Sequence, residues 1–251
     1  MKEKVEVLED ENEELDLSPE EAKIYRSTAM RAAYLSQDRP DIQVPCRELA
    51  KGLKDPKQRH WTMLKHLARY LKNKPRLVQL FRYQHNISEM VGWADSNHAG
   101  CIRTRKSTSG GAVMIGSNMI ITYTRGQAVI ALSSGEAEYY GLVSCISQLF
   151  GEISLAKDWQ VMFTAKVWMD ATAGIAIGSR RGLGRVKHID TMFLWVQQVV
   201  NEGRVKLGKK DTTEMLADIM TKHVPEGIML RMLGDMGFRF AAGRHNLGLR
   251  A

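Results

Sequence analysis

The stretch Val91-Gly-Trp-Ala-Asp95 decides the fold, because it has the pattern of a short buried strand that delivers a carboxylate at its end. Further along the chain, Ser133-Ser-Gly-Glu-Ala-Glu-Tyr139 opens a helix that carries further acids in its first turns. Acids held by a strand and a helix on a rigid sheet are one way to place metal ligands accurately. We therefore expect a sheet with a divalent-metal site at one end.

Charge is distributed unevenly along the 251 residues, which carry a formal net charge of +8. Residues 1–21 hold ten acids and two bases, so residues 22–251 hold 18 acids and 34 bases, a net charge of +16. This basic remainder favours nucleic acid over a membrane surface as the partner. No apolar run is long enough to span a bilayer, and the acidic N-terminus is unlike a signal peptide. We expect an intracellular chain, in the cytoplasm or nucleus, with no membrane partner.

The three cysteines, Cys46, Cys101 and Cys145, occur without any Cys-x-x-Cys spacing. This pattern predicts neither a disulfide framework nor a zinc site, and it favours a reducing compartment.

The N-terminal part of the chain has the pattern of an acidic lead followed by helices. Residues 1–17 are acidic with few apolar side chains, which predicts a disordered segment. Ser18, Pro19 and Glu21 are typical of a capped helix start, and a second helix is indicated at Asp55-Pro56. The second helix pairs an apolar side with a basic one, which indicates either a solvated face or a phosphate-binding face. We assign residues 18–87 to a helical segment.

From residue 88 the pattern changes to short strands. Strands are predicted at 91–95, 111–115 and 119–123, as an antiparallel meander, and later at 166–170 and 204–207. Helices are predicted from about Ser134 to Leu155, from Ala171, near 190–201 and near 213–222. Residues 88–225 therefore form one α/β unit, and residues 226–251 add a helix and a basic tail.

Asp95 and Asp170 each end a run of apolar strand residues, where a stiff backbone would hold a metal ligand. Alternatively, each aspartate starts a turn. On the helix, Glu136 lies three residues after Ser133 and suits a capping box, whereas Glu138 begins the buried apolar stripe. Glu138 is therefore the preferred ligand.

A fourth acid, Asp218, has no capping role if Asp211 and Glu214 form the capping pair of the last helix; the alternative is an exposed aspartate. Four converging acids would repel one another by about 4 kcal/mol per close pair. Hard oxygen donors point to Mg²⁺ or Mn²⁺, and two such ions could activate water and stabilise a leaving oxygen.

Five motifs in this order resemble the ribonuclease H domain of Ty1/copia-type retrotransposon Pol polyproteins. They are Trp93-Ala-Asp-Ser96, Arg105-Lys-Ser-Thr-Ser-Gly-Gly111, Ala131-Leu-Ser-Ser-Gly-Glu-Ala-Glu-Tyr139, Lys187-His-Ile-Asp190 and Leu216-Ala-Asp-Ile-Met-Thr-Lys222. Residues upstream are similar to the segment that connects that domain to the reverse transcriptase. The resemblance covers about residues 18–225.

The resemblance implies a ribonuclease H-like fold, with a mixed five-stranded sheet whose first three strands are antiparallel, flanked by helices. It also implies cleavage of the RNA strand of an RNA/DNA hybrid with two Mg²⁺ or Mn²⁺ ions. The four acids carried over are Asp95, Glu138, Asp170 and Asp218. The reverse transcriptase portion of the same polyprotein is an expected partner, and retroelement particles are an expected location.

Three positions depart from the family pattern, at His98, at Thr124–Gln127 and at Ala171, and none of them removes a predicted ligand. The sequence contains no Asp-Asp pair, so the polymerase motif Tyr-x-Asp-Asp is absent and the chain is not expected to synthesise DNA alone.

Nucleic-acid contacts are predicted at six residues: Arg105, Lys106, Ser107, Thr108, Lys187 and His188. The loop at 105–108 could hold a phosphate or simply be a solvated hairpin. His188 could assist proton transfer, or be a core or surface histidine. The leading hypothesis is a metal-dependent ribonuclease H, and the alternative is an inactive remnant that only binds nucleic acid.

Overall fold

The computed structural model describes residues 11–182, 184, 189 and 193–243, and the chain divides into two compact units. The first comprises Met1–Arg76 with Ala241–Ala251, and the second comprises Leu77–Phe240. The second unit extends beyond the predicted domain 88–225 at both ends. The bounds derived from the sequence stay predictions. In the described part of the chain, no helix has both the length and the apolar character that a bilayer span requires.

The first unit is helical. Its described elements are α1 (Pro19–Leu35), α2 (Gln43–Ala50) and α3 (Gln58–Asn73), with 3-10 helices at Glu11–Glu14 and Pro40–Ile42. The predicted cap of α1 is present, because Ser18 Oγ accepts the amide of Glu21 at 3.2 Å and the Glu21 carboxylate accepts the amide of Ser18 at 3.1 Å. Tyr25 is fully buried between these helices and donates its hydroxyl hydrogen to the carbonyl of Leu49.

Two details of this unit differ from the expectations. Helix α3 begins at Gln58, after Lys57 with its extended backbone, and the Asp55 carboxylate pairs with the Lys57 ammonium at 3.1 Å instead of capping the helix. Ordered structure also begins before Ser18, since residues 11–14 form a helical turn and Leu17 is buried. Residues 1–10 of the acidic lead lie outside the described residues.

The second unit contains a five-stranded sheet and a two-stranded one. The large sheet has the order β4-β3-β2-β5-β6, and the small one pairs β1 with β7. The strands are β1 (Leu77–Gln79), β2 (Glu89–Asn97), β3 (Thr108–Ile115), β4 (Asn118–Gly126), β5 (Thr164–Met169), β6 (Val205–Lys209) and β7 (Phe238–Phe240). Strands β2, β3 and β4 are antiparallel, whereas β5 runs parallel to both β2 and β6. The predicted mixed sheet with three antiparallel first strands is confirmed.

Helices cover both faces of this sheet. They are α4 (Ser134–Asp158), α5 (Thr172–Ser179), α6 (Trp195–Asn201) and α7 (Glu226–Asp235). Successive strand residues point to opposite faces. Val113 accordingly belongs to the core beneath α4, and Met114 packs with residues of α7 on the other side. Gly92 allows α4 to approach β2 closely, because a Cβ atom there would lie 2.6 Å from Cys145 Sγ.

The predicted last helix near 213–222 is wrong in type. The segment forms two 3-10 helices, Thr212–Glu214 and Leu216–Met220, because the backbone of Met215 between them is extended (φ −75°, ψ 99°). Asp211 caps the first of them by accepting the amide of Thr213, but its proposed partner Glu214 instead pairs with Lys210 at 3.0 Å.

We expect Ser133→Ala to lower the free energy of unfolding by about 1 kcal/mol, the usual cost of losing an N-cap. Ser133 Oγ accepts the amide of Glu136 at 3.2 Å at the start of α4. Hydrogen exchange at the Glu136 amide and urea unfolding measure the effect. Ser154→Ala, at an exposed position within the same helix, is the matched control. Equal loss in both variants would contradict the capping role.

Candidate metal centre

Three carboxylates from three different elements meet at one end of the large sheet. Asp95 lies in β2, Glu138 in α4 and Asp170 directly after β5. One carboxylate oxygen of each lies within 4.8 Å of the others. The parallel register pairs Trp93 with Trp168, and each acid stands two residues after its tryptophan, so the two aspartates reach the same level. Strand pairing therefore brings Asp95 and Asp170 together.

The start of α4 is held so that Glu138 faces this site. Glu136 is buried and accepts hydrogen bonds from the Leu132 amide and the Tyr140 hydroxyl, both at 2.9 Å. Its role is structural, as expected, but its backbone partner is Leu132 rather than Ser133. Gln127 ties the same turn to the sheet, since its side-chain amide donates to the carbonyl of Ala137 at 2.8 Å.

Asp218 is the fourth predicted ligand, and it is held by an ammonium group. Its Oδ2 lies 3.0 Å from Lys222 Nζ, and its side chain is only 7% exposed. Its other oxygen, Oδ1, is buried and has no hydrogen-bond partner among the described residues. Asp218 is not a member of the three-carboxylate group. The alternative of an exposed aspartate is wrong.

Two carboxylates of this site, those of Asp95 and Glu138, are costly to ionise. Burial, followed by the charges of Asp218 and Asp170, raises the pKa of Asp95 to about 7, although the Thr221 hydroxyl donates a hydrogen bond to Asp95 and Lys222 also opposes the rise. Burial and then the charge of Asp95 raise the pKa of Glu138 to about 8. Desolvation disfavours the charged form of an acid, and a neighbouring anion adds to that effect.

A divalent cation fits this donor set. Glu138 Oε2 is buried without a hydrogen-bond partner among the described residues, so it has a free lone pair at the site. Carboxylate oxygens are the ligands that Mg²⁺ and Mn²⁺ prefer. The three acids Asp95, Glu138 and Asp170 are therefore compatible with one hard divalent ion.

The predicted nucleic-acid residues differ in their surroundings. Arg105 is exposed at a positive φ of 56°, and Lys106 donates to the carbonyl of Ala128 at 2.6 Å. Ser107 and Thr108 are buried, and the Ser107 hydroxyl accepts the amide of Ala99 at 3.0 Å. The site residues Lys187 and His188 lie outside the described residues. The binding role of all six stays a prediction.

Sequence reasoning assigned no role to Thr221, Lys222 or Gln127, which all support the acids. The first two were visible in the motif Leu216–Lys222, where a cation four residues after Asp218 was a local signal for an ion pair. The contact of Gln127 with α4 had no such signal, because it depends on how β4 and the helix pack.

Comparison with known proteins finds retrotransposon Pol polyproteins among the relatives of this chain. No family model matches the chain. The retrovirus-related Pol polyprotein from transposon TNT 1-94 of Nicotiana tabacum is 28% identical over 194 residues, and that of transposon RE2 of Arabidopsis thaliana is 26% identical over 201 residues. These alignments cover 74% and 79% of this chain, and the chain spans only 14% of the length of each relative.

Among solved structures, the N-terminal RNase H domain of rv2228c from Mycobacterium tuberculosis, fused to maltose binding protein, is similar over 53% of this chain and 91% of that one. The sequence identity is 20% and the TM-score 0.38.

The strand order, the strand directions and the position of the acids define the second unit as a ribonuclease H-like domain. The chain is homologous to the Ty1/copia-type retrotransposon Pol polyproteins, at 26–28% identity.

Proposed function

We propose that this chain is a metal-dependent ribonuclease H that hydrolyses the RNA strand of RNA/DNA hybrids during reverse transcription. The observation that carries the proposal is the meeting of Asp95, Glu138 and Asp170, whose carboxylate oxygens lie within 4.8 Å of one another. A bound divalent cation would offset both the burial and the mutual repulsion of acids that come from three separate elements.

The residues have distinct tasks in this proposal. Asp95, Glu138 and Asp170 would hold one Mg²⁺ or Mn²⁺ ion, and Asp218 would contribute to a second. When bound, such ions supply an activated water and stabilise the charge of a phosphodiester under attack. Thr221 orients Asp95 through its hydroxyl group.

Recognition of the hybrid would depend on both strands. Contacts to 2′-hydroxyl groups would distinguish the RNA strand from DNA. The excess of basic residues in 22–251 would attract the phosphate backbones. The predicted contact residues are Arg105, Lys106, Ser107, Thr108, Lys187 and His188.

The names of the relatives also suggest a partner and a location. A reverse transcriptase portion of the same polyprotein would supply the hybrid, and the chain would act inside the cell or within retroelement particles. Both statements are proposals, since the chain spans 14% of those relatives.

The pairing of Asp218 with Lys222 favours a second candidate, a remnant that binds nucleic acid without cleaving it. That ion pair neutralises one of the four predicted ligands, whereas the three acids that meet among the described residues are Asp95, Glu138 and Asp170. The ribonuclease would cleave the RNA strand of a hybrid, whereas the remnant would bind the hybrid and leave it intact.

Incubation with an end-labelled RNA/DNA hybrid separates the two candidates. The ribonuclease proposal expects cleavage of the RNA strand in Mg²⁺, none in EDTA, and none of duplex DNA of the same sequence. Binding of the hybrid without cleavage in either Mg²⁺ or Mn²⁺ would support the remnant and overturn the enzyme.

A further inference from the structure

Lys222 supplies a resident cation beside the carboxylates. Its Nζ lies 3.0 Å from Asp218 Oδ2, and its side chain is 42% exposed. The backbone fixes this pairing, because the amides of Thr221 and Lys222 both donate to the Asp218 carbonyl at 3.1 Å. These bonds fix the backbone spacing of the two residues, but the partly exposed Lys222 ammonium can still move toward solvent while the buried Asp218 carboxylate stays in place.

This ion pair involves only one of the two carboxylate oxygens of Asp218. Lys222 contacts Oδ2, whereas Oδ1 is buried without a hydrogen-bond partner among the described residues. The Asp218 charge also acts on Asp95, whose own oxygens belong to the three-carboxylate group. The second oxygen is thus available for a ligand next to the group.

We propose that Lys222 controls the occupancy of this centre by holding the position that a second divalent ion needs. The first ion binds to Asp95, Glu138 and Asp170, and the second binds only when the Lys222 ammonium moves away from Asp218. This inference rests on the proposed metal-dependent function. It concerns the order of ion binding, which that function leaves open.

Charge makes this order physically reasonable. Four ionised carboxylates and one ammonium carry a formal charge of minus three, so one divalent ion leaves minus one. With the ammonium still in place, a second ion would bring the centre to plus one, and the ions would repel the ammonium strongly. A substrate phosphodiester would restore neutrality. The second ion should therefore bind weakly to the free protein.

Titration of the full chain with Mn²⁺, followed by electron paramagnetic resonance and calorimetry, tests this without substrate. We expect one tight site in the parent and a second at least about ten-fold weaker. Lys222→Gln should tighten the second site about ten-fold or more, since the competing charge is gone. Lys222→Arg keeps the charge and should resemble the parent.

The outcomes of the titration distinguish a failure of this inference from a failure of the proposed function. If Lys222→Gln and the parent agree within two-fold at both sites, the inference is overturned while the proposed function stands. If the parent binds no Mn²⁺, the metal-dependent function itself fails. If Lys222→Gln does not fold, the inference is tested in the parent by the ¹⁵N NMR signal of the Lys222 ammonium. That signal is assigned by its absence in Lys222→Arg. It should move with the second equivalent of Mg²⁺, and movement complete at the first would refute the inference.

Discussion

Asp95→Asn should reduce Mg²⁺-dependent cleavage of an RNA/DNA hybrid by about a thousand-fold, or ~4 kcal/mol of transition-state stabilisation. Asp95 is the central acid of this centre. It belongs to the three-carboxylate group, and the charges of Asp218 and Lys222 both affect its pKa. An amide keeps the shape and the Thr221 contact but loses the charge that a divalent ion needs. Initial rates of cleavage under single-turnover conditions measure the effect.

Asp158→Asn is the matched control for this experiment. It makes the same chemical change at an exposed aspartate at the far end of α4, and it should keep the parent rate. Both variants should bind the hybrid with affinities close to that of the parent, measured by fluorescence anisotropy in Ca²⁺. Full activity of Asp95→Asn would show that this centre does not take part in the cleavage reaction.

The metal-free protein should lose ~3 kcal/mol of stability or more between pH 5 and pH 9. Asp95 and Glu138 have folded-state pKa values of about 7 and about 8, above the ordinary values of 3.8 and 4.5. Between the two ranges the folded state binds more protons than the unfolded state, so stability falls as pH rises. The contribution of Asp95 and Glu138 to the free energy of unfolding is complete below pH 4. It is lost as the pH rises through their folded-state pKa values of about 7 and about 8.

Urea unfolding in EDTA at several pH values measures this loss. Four of the five tryptophans lie in Leu77–Phe240, so tryptophan fluorescence reports mainly on the unit that contains the centre. Glu138→Gln should flatten the pH dependence in EDTA, and Glu152→Gln, a glutamate on the same helix, should leave it unchanged. Mg²⁺ should restore stability at high pH in the parent, because it binds the ionised carboxylates. Identical pH profiles for the parent and Glu138→Gln would contradict the electrostatic account.

The fold was predictable because its signals are local. Apolar runs, turn residues and the cap at Ser133 define strands and a helix within a few residues each. The order of these elements, together with the five motifs, then predicted the mixed sheet. Where the local signal was ambiguous the prediction failed, as at Met215, where an extended residue divides one expected helix into two 3-10 helices.

By itself, the sequence determined which acids were candidates, since Asp95 and Asp170 follow apolar strands and Glu138 begins a buried helical stripe. Only the tertiary structure decided which of them meet. The register between Trp93 and Trp168 and the packing of α4 bring three acids together. The physical reason is that distances between segments far apart in sequence depend on strand pairing and core packing. Local residue patterns specify neither.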